Sequence, residues 1–129
     1  MTGAVEWTIH QRWSYAASTA SVATARADVA HFLADTTHVH RIDDVRLMVS
    51  ELVTNVILHT SGHPTMEVGA NATLLRVEVI DQSSAGAVVQ APPLNEPDGR
   101  GLMIVTVLAD AWGVTHHSVG KAVWFEVRT

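Results

Sequence analysis

The sequence predicts an α+β two-layer sandwich, a mostly antiparallel mixed sheet with about three helices grouped against it. Three observations carry this expectation. The hydrophobic spacing reads along the chain as strand, helix, helix, strand, strand, long loop, helix, strand, strand. Helices and strands announce themselves by periods of 3.6 and 2, and helices grouped against a largely antiparallel sheet form two layers. The chain has 129 residues, 47% of them hydrophobic, which suffices for one core. A chain of this size buries roughly 65–70% of the surface its unfolded form exposes. One domain over residues 1–129 is therefore expected, without internal repeat or linker.

In the opening segment Val5, Trp7, Ile9 and Trp13 share one parity, and Glu6, Thr8, His10 and Arg12 the other. That alternation predicts a half-buried strand over 5–13. Ser18 is a good N-cap, and Val22, Ala25, Val29, Phe32 and Leu33 then recur at helical spacing, predicting a helix over 19–35. Asp43 and Asp44 favour a second helix start. Beyond them Val45, Met48, Val49, Leu52, Val53, Val56 and Ile57 line one face, the strongest helical pattern in the chain. The turn residues from Ser61 to Pro64 introduce two β-like runs, 65–71 and 73–81, separated near Asn71 and expected to pair as a hairpin. From Gln82 to Asp98 the composition shifts to Ser, Ala, Gly and Pro, with Pro92, Pro93 and Pro97 barring any regular element. So long a loop in a small domain is usually functional, for example a lid. A short helix from Leu102 to Ala109, a strand near 112–117, a turn at Gly120 and a strand from Val123 to Val127 complete the chain.

Composition excludes several function classes. There is no cysteine, hence no disulfide, thiolate metal site or cysteine nucleophile. The net charge of −5 and only 8 scattered basic residues argue against direct nucleic-acid binding, which draws its affinity from clustered Lys and Arg. No apolar run approaches a membrane span, and the start alternates polar with apolar residues, so a cytoplasmic location is expected. The 8 histidines include His38 with His40 and His116 with His117, but no metalloprotease spacing, and neither a Walker lysine pattern nor a nucleophile elbow is present.

Three groups of residues carry chemistry. Glu51, Asn55 and His59 follow at i, i+4 and i+8, a polar ridge away from the apolar stripe. An amide oxygen is a hard ligand suited to Mg²⁺, and a carboxylate one turn away can order or deprotonate a nucleophile. Taken alone, the ridge reads better as a solvated helix face, although Leu47 and Leu58 lie beside Glu51 on the wheel and suggest partial cover. Asp81 keeps the parity of Leu75, Val77 and Val79 and should project toward the packed side. There it can accept a hydrogen bond from the exocyclic amine of adenine, where guanine presents a carbonyl. An ordinary strand-ending Asp capping a turn through Ser83 or Ser84 explains it equally well. Finally, Gly99 and Gly101 around Arg100 precede a helix, where free N–H groups and the helix dipole favour an anion such as phosphate. A glycine pair alone is weak evidence, since glycines serve many loop conformations.

In combination and order these segments resemble the Bergerat ATP-binding fold of the GHKL, or histidine-kinase-like ATPase, superfamily. Ser50-Glu51-Leu52-Val53-Thr54-Asn55-Val56-Ile57-Leu58-His59-Thr60 resembles the N-box, Val77-Glu78-Val79-Ile80-Asp81 the first glycine box, and Gly99-Arg100-Gly101-Leu102 the second. The tail from Gly120 to Val127 resembles the last strand of small anti-sigma-kinase-like proteins. The resemblance covers nearly the whole chain. It implies Glu51 as general base, Asn55 as Mg²⁺ ligand, and Asp81 as the adenine-recognising carboxylate. His59, Ser83, Gly99, Arg100, Gly101 and Leu102 would join Asn55 and Asp81 around ATP.

No dimerising helical hairpin with a phospho-accepting histidine is present, so the resemblance points to the anti-sigma-factor serine-kinase branch. It implies a serine/threonine protein kinase that phosphorylates a STAS-domain anti-sigma antagonist, sequesters a sigma factor and forms a homodimer. A protein-binding module without catalysis, responsive to nucleotide or independent of it, is the alternative. Two positions depart from the family pattern: Ser83 replaces a glycine, and Ala122 stands where a threonine often assists the Asp. Loss of one such bond costs on the order of 1 kcal/mol, about fivefold in affinity.

Overall fold

The computed structural model describes residues 5–60, 62–81, 100–117 and 120–129. Five strands, β1 (Ile9–Ser14), β2 (Pro64–Ala70), β3 (Leu74–Asp81), β4 (Ala111–His117) and β5 (Gly120–Arg128), form one sheet in the order β1-β2-β3-β5-β4. All four pairings are antiparallel, so among the described residues the sheet is not mixed. Among the described residues three helices, α1 (Ala20–Ala34), α2 (Ile42–Thr60) and α3 (Arg100–Leu108), accompany it, with a 3-10 turn at Val39–Arg41 leading into α2.

The apolar stripes of the sequence become the interface between layers. Val45, Met48, Val49, Leu52, Val53 and Val56 of α2 are buried, as are Ala25, Val29, Phe32 and Leu33 of α1. They meet Met66 and Val68 of β2, Leu75, Val77 and Val79 of β3, and Phe125 and Val127 of β5 in one hydrophobic cluster. Trp13 of β1 meets the α1 residue Phe32 edge-on, with ring centroids 6.2 Å apart. The α1 start is set one residue later than its capping group. Thr19 is the N-cap and makes no side-chain cap bond, whereas Ser18 Oγ accepts the Ala20 N–H at 3.3 Å.

The first strand begins at Ile9 rather than Val5, because Trp7 leaves the ladder to lie on Gly69. A Cβ at Gly69 would come within 2.6 Å of the indole. The β2–β3 turn is tied by Asn71, whose Oδ1 accepts the N–H groups of Thr73 at 3.1 Å and Leu74 at 2.9 Å. The carbonyl of Asn71 takes a hydrogen bond from Nε2 of the fully buried His38 at 2.9 Å. His38 is thus a core histidine, while His40 and His116 are exposed.

Tyr15 is buried and donates its hydroxyl to Asp28 Oδ2 at 2.7 Å. Burial first, then the bond to Asp28 and its charge, push the phenol far above its ordinary 10.0. A raised folded-state pKa means that the stabilisation is complete below the unfolded value and declines as pH rises beyond it. Stability should therefore fall above pH ~10. Tyr15→Phe should cost about 1 kcal/mol at neutral pH and flatten that alkaline decline. Urea denaturation across the window checks it, and phenolate absorbance reads the group alone, since the chain has 1 tyrosine. An unchanged alkaline slope in Tyr15→Phe would assign the decline to another group.

Candidate functional site

Topology brings the three chemical segments to one end of the sandwich. The C-terminal end of α2 leads within a few residues to Pro64, which opens β2 and pairs with Asp81, and Asp81 in turn pairs with Lys121 of β5. Helix α3 packs against α2, and its last carbonyl, Leu108, accepts a bond at 2.8 Å from Arg41 just before α2 begins. The two helices therefore run in opposite directions, and the start of α3 lies toward the C-terminal half of α2. At the opposite end Arg41 also reaches Asp44 at 3.1 Å and Asp110 at 3.8 Å, while Asp110 Oδ2 accepts the Arg128 N–H at 2.6 Å. This polar clasp fixes the far ends of α2, α3 and β5 and leaves the near ends to converge.

On α2, Glu51 and Asn55 are half-buried and His59 is exposed, in the ridge that the spacing predicts. Among the described residues no hydrogen bond holds the side chain of Glu51 or Asn55. Ser50, by contrast, is committed to the helix, its hydroxyl donating to the Arg46 carbonyl at 2.9 Å. Thr60 closes the helix by donating to Val56 O at 2.7 Å and accepting the Gly62 N–H at 3.1 Å. Leu47 and Leu58 are themselves 44% and 62% exposed, so the partial cover of Glu51 and Asn55 does not come from burial of these two leucines.

Asp81 is 2% exposed, on the packed side as its parity predicts. Its neighbour across the ladder is Lys121, and residues directly opposite in an antiparallel pair share a face. Burial lowers the Lys121 ammonium below its ordinary 10.5, and the negative charge of Asp81 pulls it back up. Ala122 pairs with Ile80 and so faces the other side of the sheet. The expectation that Ala122 stands beside Asp81 is corrected: the residue opposite Asp81 in the ladder is Lys121. Its signal was present in the sequence, since Lys121 has the parity of Val123, Phe125 and Val127. Gly120, at φ 134°, takes a backbone conformation that disfavours a side chain and sets the start of β5.

Arg100 and Gly101 lie in the first turn of α3, which starts two residues earlier than the sequence reading placed it, and Leu102 is buried. A helix start leaves backbone N–H groups without partners inside the helix, so this end suits an anion. Ser83 and Gly99 lie outside the described residues, as does the whole loop expected over 82–98. Among the described residues no group of three His, Asp or Glu side chains is placed to hold a metal. Mg²⁺ commonly takes one or two protein ligands and completes its shell with phosphate and water. Asn55 is the residue suited to hold it. A cavity of about 200 Å³ lined by Thr8, Asp35, Thr37 and Asn71 sits at the other end of the sheet, away from Asp81.

A family model described as the histidine kinase-like ATPase domain matches residues 15–127. No curated protein matches the chain. Among solved structures, the crystal structure of the RsbU and RsbW domains of Rv1364c from Mycobacterium tuberculosis is similar with a TM-score of 0.69 and 21% identity, covering 94% of this chain and 32% of that one. This chain thus spans about a third of that neighbour's length.

Proposed function

The chain belongs to the histidine kinase-like ATPase domain family, and on that premise we propose that it is a serine/threonine protein kinase built around an ATP site. The site comprises the α2 ridge, Asp81 and the start of α3. The observation that carries this reading is the convergence of these three segments at one end of the sandwich, opposite the Arg41 clasp.

Each residue then has a distinct role. Asp81, on the buried side, accepts the exocyclic amine of the base. The backbone at Arg100 and Gly101 offers N–H groups and a helix dipole to phosphate oxygens, and Gly99 is assigned to the same phosphate contact by the sequence resemblance. Leu102 anchors that turn in the core, and His59 and Ser83 border the nucleotide. Asn55 holds Mg²⁺ by its amide oxygen. Bound MgATP supplies the transferable phosphoryl group, with the metal spreading its charge. Glu51 receives the proton of the attacking Ser or Thr hydroxyl, holding it one helical turn from Asn55.

The sequence resemblance supports the rest of the reading: a single cytoplasmic domain, dimeric, that binds a sigma factor and phosphorylates a STAS-domain antagonist. No described helix is long and apolar enough to cross a membrane. The alternative, a module that binds partners without turnover, draws on Lys121, whose charge sits beside the base-recognising carboxylate. It requires that Glu51→Ala leave partner regulation intact.

Calorimetric titration of MgATP into wild type and Asp81→Asn tests the site. A carboxylate bond to the base is worth about 1.5–3 kcal/mol, so affinity should fall roughly ten- to a hundredfold in Asp81→Asn. Equal affinity in the two proteins would remove Asp81 from the site, and no binding by wild type at millimolar ATP would leave partner binding independent of nucleotide.

A further inference from the structure

We propose that Leu47, Thr54 and Leu58 of α2 form the docking stripe for the protein substrate, and that the site selects a Ser or Thr hydroxyl set between apolar side chains. The inference rests on the reading of Glu51 as the base that receives the hydroxyl proton.

Helical geometry divides α2 into faces. Leu47, Glu51, Thr54 and Leu58 follow at i, i+4, i+7 and i+11, which at about 3.6 residues per turn confines them to an arc of roughly 60°. That arc is centred opposite the buried stripe running from Val45 to Val56. One flank of the helix is taken by α1, where Arg46 lines a groove with Ala23, Ala27 and Ala30. Asn55 and His59 turn to the other flank, the side given above to Mg²⁺ and the nucleotide. Glu51 therefore stands on the border between the nucleotide flank and the outward stripe. A base that takes a proton from a hydroxyl while ATP lies on one side of it needs its substrate on the other, which is the stripe.

The chemistry of the stripe then defines the partner. The face of a helix turned away from the core is ordinarily polar, and leucines exposed singly carry no message. Leu47 and Leu58 are not scattered: they lie in one line on either side of Glu51, and both are exposed. Thr54, half-buried between them, adds a methyl group. Apart from Glu51 the stripe carries no charge, so recognition there is by apolar contact and not by ion pairing. At a rise of about 1.5 Å per residue, Leu47 lies about 6 Å and Leu58 about 10 Å from Glu51 along the axis. These spans equal about two and three residues of extended chain at roughly 3.3 Å each. Apolar side chains at such distances on both sides of the accepting hydroxyl would seat on the two leucines together.

The test is steady-state phosphorylation, with MgATP, of the recombinant STAS-domain proteins encoded in the same genome, assayed one by one. The enzymes are wild type, Leu47→Gln, Leu58→Gln, the double variant, Leu58→Met and Val39→Gln, each also titrated with MgATP by calorimetry. Glutamine keeps the helix propensity and removes the apolar surface. Each Leu→Gln change should raise KM for the modified substrate about tenfold, and the pair about a hundredfold, the effect of losing roughly half a leucine's burial at each position. The kcat should stay within about twofold, the signature of lost substrate binding alone, and ATP affinity should not change. Leu58→Met should retain the wild-type KM. So should Val39→Gln, since Val39 is as exposed as Leu47 but precedes α2 at the Arg41 end. An unchanged KM in both glutamine variants, or an equal rise in Val39→Gln, overturns the stripe and leaves the kinase reading standing. A fall in kcat at constant KM also overturns it, because the leucines would then position Glu51 and not the substrate. A wild type that phosphorylates none of these proteins removes the kinase reading, and this inference with it.

Discussion

Replacing Glu51 by alanine is expected to slow phosphoryl transfer by about 10²–10⁴-fold, the usual contribution of a positioned general base, while ATP still binds. Glu51 is half-buried on the open ridge of α2, and no described residue holds its side chain. Removing it therefore breaks no internal hydrogen bond, and alanine is the better helix former. Asn55, the proposed Mg²⁺ ligand one turn on, stays in place, so nucleotide affinity and rate should separate. Single-turnover transfer from labelled ATP to a STAS-domain substrate, alongside calorimetry, reads both quantities. Glu51→Gln should behave like Glu51→Ala, since it keeps the shape and loses the base. A rate equal to wild type in either variant would take Glu51 out of the chemistry and favour the noncatalytic reading.

The long helix was readable from sequence because its apolar stripe of seven positions from Val45 to Ile57 admits one orientation, and all but the half-buried Ile57 are buried. The buried side of Asp81 was readable for the same reason, from strand parity. The position facing Asp81 was misread because the resemblance of the tail to the family's last strand was matched at Ala122, whereas the alternation of Val123, Phe125 and Val127 assigns Lys121 to that face. What periodicity does not contain is strand order. The placement of β5 between β3 and β4 joins segments far apart in sequence, and it is this non-local pairing that sets Lys121 against Asp81. The early end of β1 escaped for a related reason: Val5 and Trp7 alternate correctly, but Gly69 offers Trp7 a flat seat on the sheet face. The exposure of Leu47 and Leu58 depends on what neighbours α2, which a helical wheel does not record.

Phe125→Ala is expected to lower stability by about 3–5 kcal/mol, the range for a fully buried phenylalanine. Phe125 is 0% exposed and lies on β5, opposite Val77 of β3 and Trp112 of β4, so its ring joins three strands of the sheet to the helices above. No neighbour can fill the space without abandoning its own contacts, because Leu33, Leu52 and Val77 are already packed to 2% exposure or less. Domains typically hold about 5–15 kcal/mol in total, so the variant should melt roughly 10–20 °C lower. Val107→Ala supplies the control. Val107 is 76% exposed on α3, and its loss should stay within about 0.5 kcal/mol. Urea denaturation with an unchanged slope would assign the difference to the folded core. A Phe125→Ala penalty no larger than that of Val107→Ala would mean that β5 is not held where it must be to bring Lys121 to Asp81.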